Sequence, residues 1–254
     1  MSNLTSNRSR IGLIVPSTNT TAEPDFNMAA PGSVSIHSQR MWLDSSALSA
    51  EGMSAMNADV ENAAKFIKQS DKPFYLQVNY PDAHRPFIKT VDKLPAKPLT
   101  GKDVGAIPYM GINHPELREQ TADYYNCMMR LDSYIGDLLK ALETSGKAKD
   151  TVVVYIGDHG ADLLRGKRTS YEGGVKIPMI VRWPGAKSGQ KRKELVTTLD
   201  LFPTFCEIAG VQIPKSLPGQ SLKPIIHGAS PKWRKYLFTE FHVHSNHNPW
   251  PQRT

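Results

Sequence analysis

The most constraining feature of the sequence is a long helical pattern that is followed at once by a strand pattern. Within residues 115–143, side chains of one face recur in alternating steps of four and three: Leu117, Thr121, Tyr124, Met128, Leu131, Ile135, Leu138 and Leu142. Such steps predict an amphipathic helix. The segment TVVVYIG at residues 151–157 then predicts a strand that is buried on both faces. Because the repeat covers less than four heptads and strands lie beside it, it favours a helix packed on a sheet over a coiled coil.

Shorter patterns of both kinds occur along the rest of the chain. Strands are predicted at residues 10–16, 34–43, 73–79, 175–183 and 235–241, and a helix at residues 51–68. A second, short helix is predicted to be capped by Asp200 and to end at Gly210. A proline-rich stretch at residues 81–115 predicts irregular structure. Since strands and helices alternate, the sequence predicts the α/β class.

The composition is that of an ordinary globular protein. The chain has 254 residues, of which 39% are hydrophobic and 22% charged, which is enough to bury a core without disulfides. Its two cysteines, Cys127 and Cys206, lie in helical patterns and are predicted to be small buried thiols. Neither a signal peptide nor an apolar run of membrane-spanning length is recognisable, so the sequence predicts a cytoplasmic protein without a membrane partner.

The net charge of +7 is concentrated in one stretch of the chain. Residues 165–193 contain nine Lys or Arg residues and one acidic residue, Glu172. A cluster of this kind attracts anions. No helix-turn-helix, zinc-finger or aromatic-interleaved basic motif accompanies it, which argues against a nucleic-acid partner. The stretch is explained either by a small anionic substrate or by a solvated basic surface.

Asp158 and His159 follow the predicted strand at residues 151–157, with a glycine on either side. In open α/β sheets, ligands bind beyond the carboxyl ends of the strands. An Asp–His pair at such a position can bind a divalent cation through an oxygen and a nitrogen. Lys167 adds a mobile positive charge that suits a tetrahedral oxyanion. The pattern also fits a plain strand end with a capping Asp and a solvated basic loop.

Three longer blocks carry a family resemblance: KPFYLQVNYPDAHRPF at residues 72–87, DHG with GKRTSYEGGVKIPMIVRWPG at residues 158–185, and TTLDLFPTFCEIAGVQIPKSLPGQSLKPIIHG at residues 197–228. In this order and spacing they resemble the sulfatase family of the alkaline-phosphatase-like superfamily. The tail TEFHVHSNHNPWPQRT is similar to the heparan N-sulfatase (sulfamidase) branch. The resemblance implies part of an alkaline-phosphatase-like sheet flanked by helices.

The resemblance also implies roles for single residues. Asp158 and His159 match the family's metal ligands, which implies a divalent cation, most often Ca²⁺. Lys167 matches the lysine that contacts the sulfate oxygens. His84 matches the histidine near the scissile oxygen, where it binds sulfate or protonates the leaving group; by spacing alone it would be an ordinary loop histidine. The tail histidines His242, His244 and His247 either line the pocket of a small or saccharide sulfated substrate or are exposed to solvent.

The beginning of the chain resembles a different family. Residues 8–60, with RIGLIVPSTNTT at their start, are similar to the opening of maleate isomerase in the Asp/Glu racemase superfamily. In that family a P-S-x-N-T loop holds a substrate carboxylate, which would be the role of Asn19. We therefore expect a maleate-isomerase-like segment at residues 1–60 and a partial sulfatase domain at residues 61–254.

Two elements that the resemblance leads us to expect do not occur in the sequence. One is the C/S-x-P-x-R motif whose Cys or Ser becomes the formylglycine nucleophile; the other is the pair of aspartates after the first strand that completes the metal site. Without those aspartates Ca²⁺ would be held weakly, because it binds about six to eight oxygen ligands. The sulfatase-like part is also expected to end before the family's C-terminal sheet.

Three functions follow from these patterns. The first is a metal-dependent hydrolase of sulfate esters or N-sulfate groups, truncated and without its usual nucleophile. The second is a non-catalytic remnant that binds anions. The third, an isomerase or racemase of a small dicarboxylate, is disfavoured because neither Cys127 nor Cys206 stands in a matching context.

Overall fold

The computed structural model of the protein describes residues 9–16, 28, 34–41 and 49–239. The chain divides into two compact units, the first made of residues 1–148 and 161–165 and the second of residues 149–160 and 166–254. The expected division at residue 60 follows ancestry rather than packing and stays a prediction. Within the described ranges, no helix is both long and apolar enough to cross a membrane.

The first unit contains a parallel sheet of three strands. Strands β1 (Ser9–Pro16), β2 (Val34–Met41) and β3 (Phe74–Gln77) are arranged in the order β2-β1-β3. Ser9 pairs with Val34 in β2, and Arg10 of β1 pairs with the first residue of β3. The strands predicted near these positions are confirmed, and β2 and β3 are slightly shorter than expected.

Two long helices follow the predicted patterns. Helix α1 (Ala50–Gln69) begins at Ser49, whose side chain accepts a hydrogen bond from the N–H of Gly52 (3.1 Å). Helix α2 (Pro115–Thr144) begins at a proline, which suits the first helical position because its missing N–H would be unpaired there. The chain leaves α2 through Gly146, which has φ 76°, a conformation that glycine adopts without a steric penalty.

The core of the first unit lies along the inner face of α2. Seven of its residues are buried: Thr121, Ala122, Asn126, Cys127, Arg130, Leu131 and Leu142. Ala63 of α1 packs with Leu138 of α2 and with two apolar residues at the end of β3. Ala63 therefore links α1 to α2 on one side and to the strand β3 on the other.

The stretch between β3 and α2 is irregular, as expected, apart from a 3₁₀ turn at Pro108–Met110. Its backbone is tied to α2 by side chains. Asn126 accepts from the N–H of Leu99 (2.7 Å) and donates to its carbonyl (3.0 Å), and Glu119 accepts from the N–H of Gly101 (2.6 Å). These contacts replace the ladder that a strand would supply.

The second unit contains a pair of antiparallel strands, β4 (Val153–Ile156) and β5 (Met179–Arg182). Its α-helices are α3 (Glu172–Val175), α4 (Leu201–Ile208) and α5 (Lys223–Ile226), and a 3₁₀ turn at Thr198–Asp200 precedes α4. Every residue of β4 is half-buried. The expectation of a strand buried on both faces is therefore wrong, because this unit's sheet has two strands and offers β4 little cover.

Two expectations for the end of the second unit need correction. Asp200 precedes α4 as predicted, but its side chain makes no capping bond to that helix; it accepts from the N–H groups of Thr197 (2.9 Å) and Gln220 (2.8 Å) instead. The strand expected at residues 235–241 is not formed in its described part, residues 235–239. Tyr236 and Phe238 are 79% and 97% exposed, so the apolar pattern there is not matched by burial.

Candidate active site

Asp158 and His159 lie on the turn after β4, at the carboxyl end of that strand, as predicted. Oδ1 of Asp158 accepts a hydrogen bond from the backbone N–H of His159 (2.9 Å), and Oδ2 lies 3.3 Å from Nε2 of the same residue. The Asp158 side chain is 86% exposed. Its carboxylate is therefore held close to the imidazole and is open to a ligand.

The imidazole of His159 is oriented by the backbone. Its Nδ1 lies 2.8 Å from the carbonyl oxygen of Gly160. Because a carbonyl oxygen only accepts hydrogen bonds, Nδ1 is the donor in this contact, and in the neutral ring Nε2 then has the free lone pair. Metal-binding histidines are commonly oriented by a contact of this kind. Nε2 of His159 and Oδ2 of Asp158 thus form a pair of neighbouring donors.

The separation of these two donors suits a divalent cation. Adjacent ligands of one cation lie about 3 Å apart when metal–ligand distances are about 2.1–2.5 Å, and Nε2 and Oδ2 are separated by 3.3 Å. The pair is nevertheless only part of a site, because Ca²⁺ binds about six to eight oxygens. Among the residues that the structure describes, no group of three or more His, Cys, Asp or Glu side chains could hold a metal ion.

The turn that carries these donors packs directly on the backbone of α3. The N–H of Gly160 donates to the carbonyl of Gly174 (2.8 Å). A Cβ atom at Gly160 would lie 1.7 Å from the carbonyl oxygen of Gly173. A side chain at residue 160 is therefore incompatible with this approach, which explains why the turn ends in glycine.

Lys167 lies in a second turn, which packs on the same part of α3. A Cβ atom at Gly174 would lie 2.3 Å from the carbonyl oxygen of Thr169 and 2.6 Å from that of Gly166. The Thr169 hydroxyl donates to the Gly166 carbonyl (2.7 Å), which closes the turn. Arg168, next to Lys167, has φ 71°, a left-handed conformation that non-glycine residues adopt infrequently. Lys167 itself is half-buried.

The second unit therefore places three of the candidate residues, Asp158, His159 and Lys167, on two turns that contact one pair of glycines. Sequence reasoning did not single out Gly173 and Gly174. The available signal was the consecutive glycines in SYEGG, since adjacent glycines commonly mark a close backbone approach.

His84 lies in the first unit, on the loop between β3 and α2. Its backbone N–H donates to the carbonyl of Pro81 (3.0 Å), and its Nδ1 lies 2.6 Å from the carbonyl oxygen of Arg85. The residue is exposed. By the same reasoning as for His159, Nδ1 carries the proton in this contact and Nε2 is the ring nitrogen available to a ligand.

Side chains hold the loop that carries His84. Arg85 donates to the Asp162 carbonyl (2.7 Å) and to Oε1 of Gln120 (3.2 Å), and its guanidinium lies 5.0 Å from the ring centre of Phe87. Asp82 forms a buried ion pair with Arg130 of α2, with contacts of 2.6 and 2.7 Å.

The Asp82–Arg130 pair was missed at the level of sequence. Burial raises the pKa of the Asp82 carboxyl and outweighs the opposing influence of Arg130. At Arg130 burial tends to lower the pKa, but the hydrogen bonds and charge of Asp82 outweigh it and raise the pKa. The first shift favours a neutral carboxyl and the second a charged guanidinium; the short bidentate contacts favour the ionised pair. The available signal was an arginine on the apolar face of α2, three residues after Cys127.

The prediction of a buried thiol is confirmed for Cys127 but not for Cys206. Cys127 is buried, and burial raises the pKa of its thiol to about 12. Cys206 is half-buried, and burial raises its pKa as well. Since the thiolate is the nucleophilic form, these environments disfavour covalent catalysis by either residue. The tail residues His242, His244 and His247, and Asn19 near the start, lie outside the described residues, so their roles stay predictions.

Comparison with known families agrees with this chemistry. The sequence model of the family described as Sulfatase matches residues 16–211, well over half of the chain. The chain belongs to the sulfatase family. Sulfatases generally bind a divalent cation, which agrees with the donor pair on the turn after β4. The match begins inside residues 8–60, whose resemblance to maleate isomerase stays a prediction.

Two relatives show how much of a sulfatase the chain corresponds to. It is similar to an arylsulfatase of Clostridium perfringens (strain 13 / Type A), with 29% identity over 229 residues, which is 78% of this chain and 47% of the relative. It is similar to N-acetylglucosamine-6-sulfatase of Homo sapiens, with 36% identity over 124 residues, 46% of this chain and 22% of the relative. The chain spans less than half the length of these two proteins.

A solved structure shows the same fold. It is a complex with its substrate, D-glucosamine-2-N,6-O-disulfate, and it matches with a TM-score of 0.61 and 21% identity over 74% of this chain and 56% of that chain. This likeness concerns the fold, and it confirms the alkaline-phosphatase-like α/β class expected for this sulfatase-family chain.

Proposed function

We propose that the protein hydrolyses sulfate esters or N-sulfate groups and that this reaction depends on a divalent cation, with Ca²⁺ as the first candidate. The observation that supports this is the packing of two turns, one with Asp158 and His159 and one with Lys167, on the same glycine pair of α3. This arrangement offers an oxygen, a nitrogen and an ammonium group on neighbouring turns. The formylglycine motif does not occur in the sequence, so no side chain is assigned as the nucleophile. In the overall reaction water adds to sulfur, the S–O or S–N bond breaks, and the alcohol or amine leaves with a proton.

The side chains act through electrostatics in this proposal. Lys167 contacts the sulfate oxygens and neutralises the charge that develops on them; stabilisation of this kind is usually the largest catalytic contribution. Asp158 and Nε2 of His159 hold the cation, which supplies Lewis-acid polarisation when it is bound. His84 binds sulfate or delivers a proton to the departing oxygen or nitrogen, as a positioned general acid.

We propose a sulfated amino sugar as the substrate class. The human relative is named N-acetylglucosamine-6-sulfatase, and the solved structure holds a disulfated glucosamine as its substrate. The basic stretch at residues 165–193 supports an anionic substrate of this kind. The tail residues His242 and His244 are proposed to line the pocket.

The test is hydrolysis of an aryl sulfate and of N-sulfated glucosamine by the purified protein, with Ca²⁺ and after chelation. We expect Asp158→Ala and Lys167→Ala each to lower kcat/KM by roughly a hundredfold, the usual cost of removing one electrostatic group from a preorganised site. Lys187→Ala is the matched control, because Lys187 is an exposed lysine of the same basic stretch. Turnover that survives both site variants would contradict the proposal.

A second candidate function is anion binding without turnover. It is favoured by the two-donor metal site and by the missing nucleophile motif. In that case inorganic sulfate binds, Lys167→Ala weakens the binding, and neither substrate is hydrolysed. Activity on maleate would overturn both functions in favour of the third, the isomerase.

A further inference from the structure

Arg130 is the largest fully buried side chain among the residues that the structure describes, with 0% exposure. Its Nε donates to Oδ2 of Asp82 (2.7 Å) and its Nη2 donates to Oδ1 (2.6 Å). The guanidinium therefore holds the carboxylate through two parallel hydrogen bonds, which fix both its distance and its plane.

A third hydrogen bond of the Arg130 guanidinium reaches the loop on the other side of His84. Nη1 of Arg130 donates to the carbonyl oxygen of Ile88 (3.0 Å). Asp82 lies two residues before His84, and Ile88 lies four residues after it. One guanidinium on a rigid helix thus contacts the loop on both sides of the histidine.

Further hydrogen bonds hold the short segment between Asp82 and Ile88 that carries His84. The N–H of His84 donates to Pro81, and Arg85 ties the middle of the loop to Gln120, which is also in α2. Lysine could not replace Arg130, because a single ammonium point charge lacks the planar fork that reaches Asp82 in a bidentate manner and Ile88 at the same time.

We propose that Arg130, through Asp82 and Ile88, is a positioning residue that sets the orientation of the His84 imidazole for sulfate, an inference that rests on the role proposed for His84. Arg130 has no atom at the surface, so it acts through the loop and not on the substrate.

The first test is a double-mutant cycle with inorganic sulfate as the probe. We expect Arg130→Met and His84→Ala each to weaken sulfate binding by roughly tenfold, the loss of about one charge-assisted hydrogen bond. Because both changes remove the same contact, the double variant should bind no more weakly than His84→Ala. Additive losses in the double variant would overturn the proposal.

Arg234→Met is the matched control, since Arg234 also forms a bidentate pair with a buried aspartate, Asp200, in the second unit. We expect its effect on sulfate binding to be small and additive with that of His84→Ala. A loss equal to that of Arg130→Met would show a general effect of destabilisation and would overturn the proposal.

The second test does not depend on function. The Cε1–Hε1 NMR signal of His84 is assigned by its loss in His84→Ala and is then recorded in the folded variants. We expect it to move in Arg130→Met, to move in the isosteric variant Asp82→Asn, and to stay in place in Arg234→Met. A signal at the wild-type position in both first-unit variants would overturn the proposal. Asp82→Asn also serves if Arg130→Met does not fold.

The two tests separate the inference from the proposed function. If His84→Ala binds sulfate as tightly as the wild type, the proposed role of His84 is wrong, and the NMR signal still decides whether Arg130 orients the ring. If His84→Ala weakens sulfate binding but the His84 NMR signal does not move in either first-unit variant, the proposed role of His84 is supported and the positioning role of Arg130 is wrong.

Discussion

The two regions that carry the candidate site residues are held in place by different kinds of contact. In the first unit the loop of His84 is anchored by side chains, above all by the buried pair of Asp82 and Arg130. In the second unit the turns of Asp158 and Lys167 are anchored by backbone contacts at glycines, where the nearest approaches leave no room for a Cβ atom.

This difference determines which substitutions each region tolerates. A side-chain anchor fails when one partner is removed, because the other is left buried and unpaired. A backbone anchor is unaffected by many changes of side chain nearby but fails when one carbon atom is added to the glycine. The loop of His84 should therefore be sensitive to loss of atoms, and the turns of Asp158 and Lys167 to gain of them.

The largest expected effect is in the first unit. Arg130→Met should lower the free energy of unfolding by about 3–5 kcal/mol, because it leaves the Asp82 carboxylate buried without its counter-ion. Urea unfolding followed by circular dichroism measures this loss. The double variant Arg130→Met with Asp82→Leu should recover much of it, since both charges are then absent. A double variant as unstable as Arg130→Met would contradict the anchoring role assigned to the pair.

The next effect is in the second unit. Gly160→Ala should destabilise the protein by about 1–3 kcal/mol, the usual cost of overpacking a tight contact, because its Cβ would meet the Gly173 carbonyl. Gly105→Ala is the control, since a Cβ at Gly105 would meet nothing within 4 Å. Equal unfolding midpoints for the two variants would contradict the backbone anchoring of the Asp158 turn.

A smaller effect on stability, confined to acidic pH, is expected at the Asp200–Arg234 pair of the second unit. Burial tends to raise the pKa of Asp200, but the hydrogen bonds from Arg234 and from two backbone N–H groups outweigh it and lower the pKa. The stabilisation from this carboxylate is therefore complete above its ordinary pKa of about 3.9 and is lost as the pH falls through the lowered value.

Arg234→Met removes part of that lowering, so stability should fall less steeply between about pH 5 and pH 2 than in the wild type. Unfolding midpoints measured across this range provide the check. If the unfolding midpoints of the two proteins fall equally as the pH is lowered, the Asp200–Arg234 pair does not contribute to the loss of stability in acid.

The smallest expected effect has the opposite sign. Gly136 is an exposed residue inside α2, and a Cβ there would meet nothing within 4 Å. Gly136→Ala should therefore stabilise the protein by about 0.5–1 kcal/mol, because alanine loses less conformational freedom in a helix than glycine does. A lower unfolding midpoint in this variant would show that open space is a poor guide to glycine substitution in this chain.

Much of the fold was predictable because its signals are local. The periodicity that predicted α2 and the apolar runs that predicted β1 to β5 lie within single segments, and each element forms near its expected place. The expected strand at residues 235–241 failed in its described part because a strand also needs a neighbour, which no pattern within seven residues can supply.

The candidate site was predictable only in part. The positions of Asp158, His159 and Lys167 followed from a strand end and a basic stretch. The buried contact of Asp82 with Arg130 joins residues 48 positions apart and could not be read from either segment. Likewise, SYEGG suggests a close approach at Gly173 and Gly174, but not that two different turns make it.

By itself, the sequence determined the class of fold, the main helices and strands, the family and the residue types of the candidate site, because periodicity, glycine placement and motif spacing are properties of short segments. The tertiary structure decided how those residues are held. Arg130 contacts the loop on both sides of His84, and two turns pack on Gly173 and Gly174. These contacts join residues that are distant in sequence, so only the folded backbone brings them together.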